Sequence, residues 1–275
     1  MGMQNLLVAG TGAAYVISAC AYAAHFIRMR AIGGSLGFWS LIVGWVLHSA
    51  LLARMAIAAG QVPLTSQVLP SLCAWLVVIV FLYLEFGTCR GSLGALVVPI
   101  VAVLHVVAAS NLMGADGATR VAHTGGWFKL HVFAYILAYA AFAISSVSAT
   151  MYVMLLGEIQ KKHLGFFYDR LPPLDTLDQT NNRAASFGFV FLTAGIVASS
   201  VWVHQKMYRL WIWNEPAFWV LLITWVVYAG HLGARRIAGW QGKRAAFMSI
   251  LGFVLVVFTF PVMGLLFPGK HVLAQ

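Results

Sequence analysis

The chain has 275 residues, of which 61% are hydrophobic and only 9% are charged. Its mean hydropathy of +0.88 lies far above the soluble range, which excludes a soluble enzyme or a soluble binding domain. The net charge of +10 does not indicate nucleic-acid binding, because the basic residues are scattered over short loops and no soluble domain carries them.

Eight apolar stretches of membrane-spanning length follow one another along the chain. About 20 apolar residues are needed to cross hydrocarbon as a helix. The sequence therefore predicts an all-α, polytopic membrane helix bundle of about eight transmembrane helices, built as a single integral membrane domain over residues 1–275. The predicted spans are 6–27, 31–53, 62–84, 91–115, 130–157, 184–205, 216–234 and 245–269.

The positions of Lys and Arg predict the orientation. Cytoplasmic loops carry the excess of basic residues in membrane proteins. The odd-numbered connections hold eleven Lys and Arg residues, whereas the even-numbered connections and the C-terminal tail hold six. We therefore expect both termini outside. The longest polar connection, from about Gly157 to Ala185, predicts a short surface helix and a loop around the turn at Pro172 and Pro173.

Motifs for soluble cofactors are missing from the sequence. It has no Walker or dinucleotide glycine pattern, so we expect neither ATP nor NAD to bind. Its three cysteines form no C-x-x-C or C-x-x-C-H motif, which argues against a disulfide framework, a zinc site and covalent haem attachment to this chain. We assign no catalytic residue.

Aromatic residues are concentrated between the sixth and seventh spans. Residues 202–219 hold more tryptophan than interfacial anchoring requires, namely Trp202, Trp211, Trp213 and Trp219. His131 opens the fifth span and His271 follows the eighth, so both lie on the same outer face as this segment. Neutral imidazole is a common axial ligand of haem iron, and a tryptophan platform can stack on a porphyrin. The pattern predicts an external haem site, with two unrelated interfacial histidines as the alternative.

Four further histidines lie inside predicted spans at matching depths. His25 and His231 lie near the cytoplasmic ends of the first and seventh spans, and His48 and His105 lie in the outer halves of the second and fourth. Each pair is a candidate for binding haem iron inside the bundle. The alternative for each is a polar residue hydrogen-bonded between helices.

Motifs in the second half of the chain follow a recognisable order. They are Trp127-Phe-Lys-Leu-His-Val-Phe-Ala-Tyr-Ile-Leu-Ala-Tyr139, Leu177-Asp178, Gly188-Phe-Val-Phe-Leu-Thr-Ala-Gly195, Val201-Trp202, Ile223-Thr-Trp225, Gly239-Trp-Gln-Gly242 and Phe267-Pro-Gly-Lys-His271. In these motifs the chain resembles the cytochrome c assembly family, the CcsA/ResC proteins and their HemX-like relatives. The resemblance is clear over about residues 127–271 and weaker over 54–99.

This resemblance implies haem handling in the biogenesis of c-type cytochromes. In the family the external tryptophan segment holds haem, here expected as non-covalent haem b, and external histidines matching His131 and His271 are its axial ligands. It further implies presentation of haem to apocytochrome c with a ResB-like membrane partner, in the lipid of a bacterial inner (cytoplasmic) membrane or an equivalent energy-transducing membrane. The chain would be at most the membrane component of a haem lyase (cytochrome c synthase).

Two departures from the family pattern keep other functions open. The family's W-G-x-x-W-x-W-D-P-K-E motif is altered here, with Asn214 in place of the Asp, and Gly233 stands where the family has a seventh-span histidine. His231, two residues away, faces another side of a helix. We therefore expect weaker haem occupancy than with the full motif. The alternative is a HemX-like or complex-embedded haem-binding or scaffold subunit without transfer activity. A quinol-oxidising b-haem subunit would rest on His48 and His105 alone.

Overall fold

A computed structural model describes residues 2–28, 31–61, 64, 68–88, 93–112, 125–162, 165–208 and 216–257. Within these ranges all regular secondary structure is helical, and each predicted span corresponds to one helix, which confirms the all-α class. The membrane-crossing count and the side of the termini stay predictions. The helices are α1 (Met3–Arg28), α2 (Ala31–Ala59), α3 (Leu69–Thr88), α4 (Gly94–Leu112), α5 (Gly126–Gln160), α6 (Leu174–Met207), α7 (Pro216–Ile237) and α8 (Lys243–Val257).

Length and hydropathy make this a multi-pass membrane protein. Five helical segments of the described chain are long and apolar enough to cross a bilayer, and two further apolar helices, Pro70–Glu85 and Gly94–Ala109, are shorter. At about 1.5 Å per residue, a 20-residue helix matches the roughly 30 Å hydrocarbon core. The five segments are Met3–Arg28, Ile32–Ala59, Gly126–Gln160, Leu174–Lys206 and Phe218–Ile237.

The start of α6 differs from the sequence prediction. Residues 174–183 form no separate surface helix, because α6 runs without a break from Leu174 to Met207. Leu177, Thr180, Asn181 and Ala184 are buried at helical spacing, so the buried face of the helix continues through a segment whose polar residues lower its hydropathy. Pro172 and Pro173 directly precede the helix, where fixed φ angles and missing N–H groups are tolerated.

Contacts divide the chain into two compact units. Unit 1 comprises Met1–Thr124 and Gly157–Thr176, and therefore contains α1 to α4. Unit 2 comprises Gly125–Leu156 and Leu177–Gln275, and therefore contains most of α5 and α6 together with α7 and α8. The assignment of residues 1–275 to one domain stays a prediction.

In unit 1 the long first helix packs against its neighbours through tyrosines seated on glycines. α1 contacts α2 and α4, and α3 contacts α4 and α2. The ring of Tyr22 is clamped between Gly37 of α2 and Gly94 of α4, where an added Cβ would lie only 2.9 and 2.7 Å from ring atoms. Small residues at such contacts let membrane helices approach closely, where dispersion replaces the missing hydrophobic driving force.

The connection between α5 and α6 is held by hydrogen bonds and a cation–π contact within unit 1. The Glu158 carboxylate accepts N–H bonds from Gly165, Phe167 and Tyr168 at 2.9–3.2 Å. The Arg170 guanidinium lies 4.0 Å from the Phe166 ring centroid and donates to the carbonyl oxygen of Ile27 at the end of α1. These bonds hold residues 165–170 in place, and the described residues of this connection form no helix of their own.

In unit 2, α5 and α6 pack antiparallel, and their contacts repeat every seven residues. Aromatic rings of α5 face α6 at every second turn, and two of these rings lie against glycines of α6. This spacing is the period of coiled-coil packing. The pairs, in order along α5, are Phe128 with Trp202, Tyr135 with Gly195, and Phe142 with Gly188.

An aromatic ring of α7 packs against one of these α5–α6 contacts. Tyr228 of α7 stacks on Phe142 with 3.6 Å between ring centroids and an angle of 11° between the planes. The Tyr228 ring also lies against Gly252 of α8, where an added Cβ would be 2.8 Å from a ring carbon. Phe142 and Tyr228 are fully buried, so this layer forms the centre of the unit's core.

Candidate functional site

The predicted external ligand His131 lies in the second turn of α5, at the end of unit 2 where α6 finishes. Its Nδ1 atom lies 3.4 Å from the carbonyl oxygen of Gly195 on α6. A carbonyl can only accept, so a hydrogen bond here requires the proton on Nδ1, which in the neutral imidazole leaves the Nε2 lone pair free. Such an arrangement is typical of histidines that bind a metal through Nε2 while a second protein group fixes the ring.

Aromatic rings surround this imidazole. Tyr135 lies one turn further along α5 with its ring centroid 4.4 Å from that of His131, nearly perpendicular at 68°. Phe128 lies one turn earlier, 6.2 Å from the imidazole, and contacts Trp202 at 5.1 Å. The structure thus brings two predicted site residues, His131 and Trp202, to one aromatic cluster.

The remaining predicted residues of the external site are only partly described. Trp219, in the first turn of α7, keeps 47% of its surface exposed and contacts the neighbouring Phe218 ring at 5.8 Å. Tyr208 adopts a left-handed backbone with φ of 56° directly after the end of α6, within the tryptophan-rich segment 202–219. Trp211, Trp213, Asn214 and His271 lie outside the described residues.

His48 and His105 meet inside unit 1, with ring centroids 4.8 Å apart. Both nitrogens of His48 have hydrogen-bond partners, Nδ1 with the Tyr15 hydroxyl at 3.1 Å and Nε2 with the Ser71 hydroxyl at 2.7 Å. His105 donates from Nε2 to the carbonyl oxygen of Val8 at 3.1 Å. Iron could bind between these rings only after they separate and after His48 gives up a bond. Their role as a haem pair stays a prediction.

His25 and His231 belong to different units, so their pairing also stays a prediction. His231 is buried in α7, with Nε2 3.5 Å from the Ser249 hydroxyl of α8. That hydroxyl and the Ser145 hydroxyl of α5 both donate to Oδ1 of Asn181, at 2.7 and 2.6 Å. The network joins all four helices of unit 2 through polar contacts, which suits a buried histidine in a structural role.

The opposite end of unit 2 from His131 is held by an ion pair. Arg235 near the end of α7 donates from both terminal nitrogens to the Asp178 carboxylate, at 2.9 and 2.6 Å. The backbone N–H of Gly242, just before α8, donates to the same carboxylate at 3.1 Å. Gly239 and Gly242 adopt φ values of 66° and 65°, which few other residues adopt. These hydrogen bonds and backbone angles give a structural reason for the Asp178 and Gly239–Gly242 motifs.

Sequence reasoning missed the neighbours that hold His131. Gly195 and Tyr135 were noted only as parts of family motifs, yet one supplies the carbonyl acceptor and the other the adjacent ring. Aromatic residues on α5 recur every seven residues, and so do Gly188, Gly195 and Trp202 on α6. This shared spacing indicates that the two sets of residues face each other. In the described part of the chain, no three His, Cys, Asp or Glu residues are grouped to hold a metal ion.

The fold and site define a class: a multi-pass, all-helical membrane protein with a histidine in an aromatic cluster at one end of a helix unit. A family model described as "Cytochrome C assembly protein" matches residues 34–271. "Cytochrome c biogenesis protein CcsA" of Guillardia theta is 32% identical over 258 residues, covering 86% of this chain and 84% of that protein. The protein of the same description from Microcystis aeruginosa is 26% identical over 285 residues, covering 86% of each.

The chain therefore belongs to the cytochrome c assembly protein family and is a membrane component of c-type cytochrome biogenesis. The solved structure of "Cytochrome c Heme Lyase CcmF" superposes with a TM-score of 0.67 at 13% identity. That likeness concerns the fold alone. It covers 99% of this chain but 49% of that chain, so the present protein spans about half the length of that structure.

Proposed function

We propose that this chain binds non-covalent haem b at the His131 end of unit 2 and presents it to apocytochrome c outside the membrane. One observation carries the proposal. His131 lies beside the Phe128 and Trp202 rings with Nδ1 3.4 Å from a backbone carbonyl oxygen, and the tautomer that donates to this oxygen leaves Nε2 available as a ligand. A neutral imidazole in this tautomer fits iron, and a cluster of aromatic rings fits a flat apolar macrocycle.

Other residues of the proposed site have distinct roles. His271 would supply a second imidazole for the iron, and the tryptophans from Trp202 to Trp219 would cover the macrocycle. Bound haem supplies vinyl groups that react with cysteine thiols, whereas this chain's residues bind, orient and shield it. A ResB-like membrane partner orients the apocytochrome, and the complex lies in a bacterial inner membrane or an equivalent energy-transducing membrane. The chain would then be at most the membrane component of a haem lyase (cytochrome c synthase).

The test is the absorption spectrum of the purified full-length chain with and without reconstituted haem. We expect a low-spin Soret band that weakens and shifts in H131A and in H271A, because each variant loses one axial imidazole. H204A is a matched control, since His204 lies near the same end of α6 but is exposed. Spectra of H131A and H271A that equal the wild-type spectrum would refute the assignment of both ligands.

A HemX-like or scaffold role without transfer is the second candidate. It is favoured by Gly233, which stands where the family has a histidine. A Cβ atom added at Gly233 would have no other atom within 4 Å. Deletion of the gene followed by staining for covalent haem separates the two functions. Loss of covalent c-type haem supports presentation, and unchanged staining supports the scaffold role.

A further inference from the structure

His131 contacts α6 in a way that depends on one glycine. The Tyr135 ring, one turn after His131, lies directly over Gly195, where an added Cβ would be 2.4 Å from a ring carbon. The same Gly195 offers its carbonyl oxygen to Nδ1 of His131. The Tyr135 hydroxyl lies 3.4 Å from the Ser199 hydroxyl, one turn further along α6. The missing side chain at Gly195 therefore lets α5 approach closely enough for this contact.

We propose that Gly195 is the positioning residue of the haem ligand His131. Its carbonyl oxygen selects the Nδ1–H tautomer, and its lack of a side chain seats the Tyr135 ring against the imidazole. The inference rests on the proposed function, because it gives Gly195 this role only if His131 binds iron.

The chemistry of the contact supports this role. A carbonyl oxygen has two lone pairs, so Gly195 can accept from His131 in addition to its helical N–H donor. The 3.4 Å separation is long for a hydrogen bond. Binding of Nε2 to iron makes Nδ1–H a stronger donor, which shortens and strengthens such a bond. Loss of an outer partner of a metal-binding histidine typically lowers metal affinity by about 10–100-fold.

Because mutation cannot remove a backbone carbonyl, the test replaces the ligand. In H131G the missing side chain is supplied as imidazole, 4-methylimidazole or 1-methylimidazole, and the Soret band is titrated with each base in the haem-loaded chain. Imidazole and 4-methylimidazole carry an N–H group besides the nitrogen that binds iron, whereas 1-methylimidazole carries none. 4-Methylimidazole controls for the bulk of the methyl group. Each affinity is divided by that of the same base for free haem.

We expect imidazole and 4-methylimidazole to restore the low-spin spectrum at concentrations about tenfold or more below the concentration of 1-methylimidazole that is needed for the same effect. Equal restoration by all three bases would overturn the role of the Gly195 carbonyl and leave His131 as a ligand. A spectrum of H131G without added base that equals the wild-type spectrum would overturn the proposed function, and this inference with it.

A pair of glycine variants provides a second test that does not depend on H131G. Gly188 and Gly195 both lie under rings of α5, where an added Cβ would be 2.5 Å from Phe142 and 2.4 Å from Tyr135. G188A and G195A therefore disturb the packing of the helices to a similar degree, but only G195A changes the surroundings of His131. We expect G195A alone to shift the low-spin EPR g values and to lower haem affinity by about tenfold. The same change in both variants, or in neither, would overturn the inference.

Discussion

Replacing Asp178 by Asn should destabilise unit 2 more than any exposed charge substitution of this chain. The carboxylate accepts two bonds from Arg235 and one from the Gly242 N–H, and the two charged side chains keep only 14% and 10% of their surface exposed. Leaving one partner of a buried pair uncompensated costs about 3–5 kcal/mol. The Arg235 side chain stays 10% exposed and Asn retains one acceptor, so we expect about 2–3 kcal/mol for D178N.

The assay is reversible unfolding of the full chain in mixed dodecylmaltoside and SDS micelles, followed by tryptophan fluorescence. D169N is the matched control, because Asp169 lies exposed in the loop before α6 and should change the unfolding free energy by less than about 0.5 kcal/mol. The variants D178N, R235Q and the double variant form a thermodynamic cycle. A coupling energy near zero between Asp178 and Arg235, or equal stabilities of D178N and D169N, would refute the reasoning.

Three further predictions concern the histidines and the polar network. N214D combined with G233H should raise haem occupancy, measured as the ratio of Soret to protein absorbance, because it restores the two groups the family uses; an unchanged ratio contradicts this. H48F should lower the free energy of unfolding by about 1–3 kcal/mol, since it leaves two buried hydroxyls unpaired, and should leave the haem spectrum unchanged; a lost Soret band would instead identify His48 as a ligand. N181A should cost about 1–3 kcal/mol because it removes the acceptor of two buried hydroxyls, and equal stability to wild type would show that they find other partners.

Hydropathy and residue order predict much of the fold, because apolar length is the dominant constraint on a chain in lipid. Each of the eight helices in the described ranges corresponds to a predicted span, and the main difference concerns α6. Its first ten residues carry Asp175, Asp178 and Arg183, and these charges lower the hydropathy although one face of the same turns is buried. A window average cannot separate two faces of one helix. The buried positions Leu177, Thr180, Asn181 and Ala184 follow the helical period, but two of them are polar, so hydropathy does not predict the longer helix.

The sequence predicts His131 as a candidate ligand but does not predict the contacts around it. His131 stood out because it opens a span on the predicted outer face, but its tautomer depends on which α6 carbonyl lies opposite Nδ1. That depends on the register of α5 against α6, and register is set by packing between residues far apart in sequence. The decisive contact joins residues 64 positions apart, and hydropathy contains no information about it.

The register itself follows from a simple steric rule that links packing to the site. A ring of α5 can approach the α6 backbone only where a glycine stands opposite, and such positions recur every seven residues at Gly188 and Gly195. Sliding either helix by one turn would place the rings of Tyr135 and Phe142 over larger side chains, which a close-packed interior cannot accommodate. One register is therefore strongly favoured. Because His131 lies one turn from Tyr135 on the same helix, the packing that seats the rings also sets the position of the imidazole.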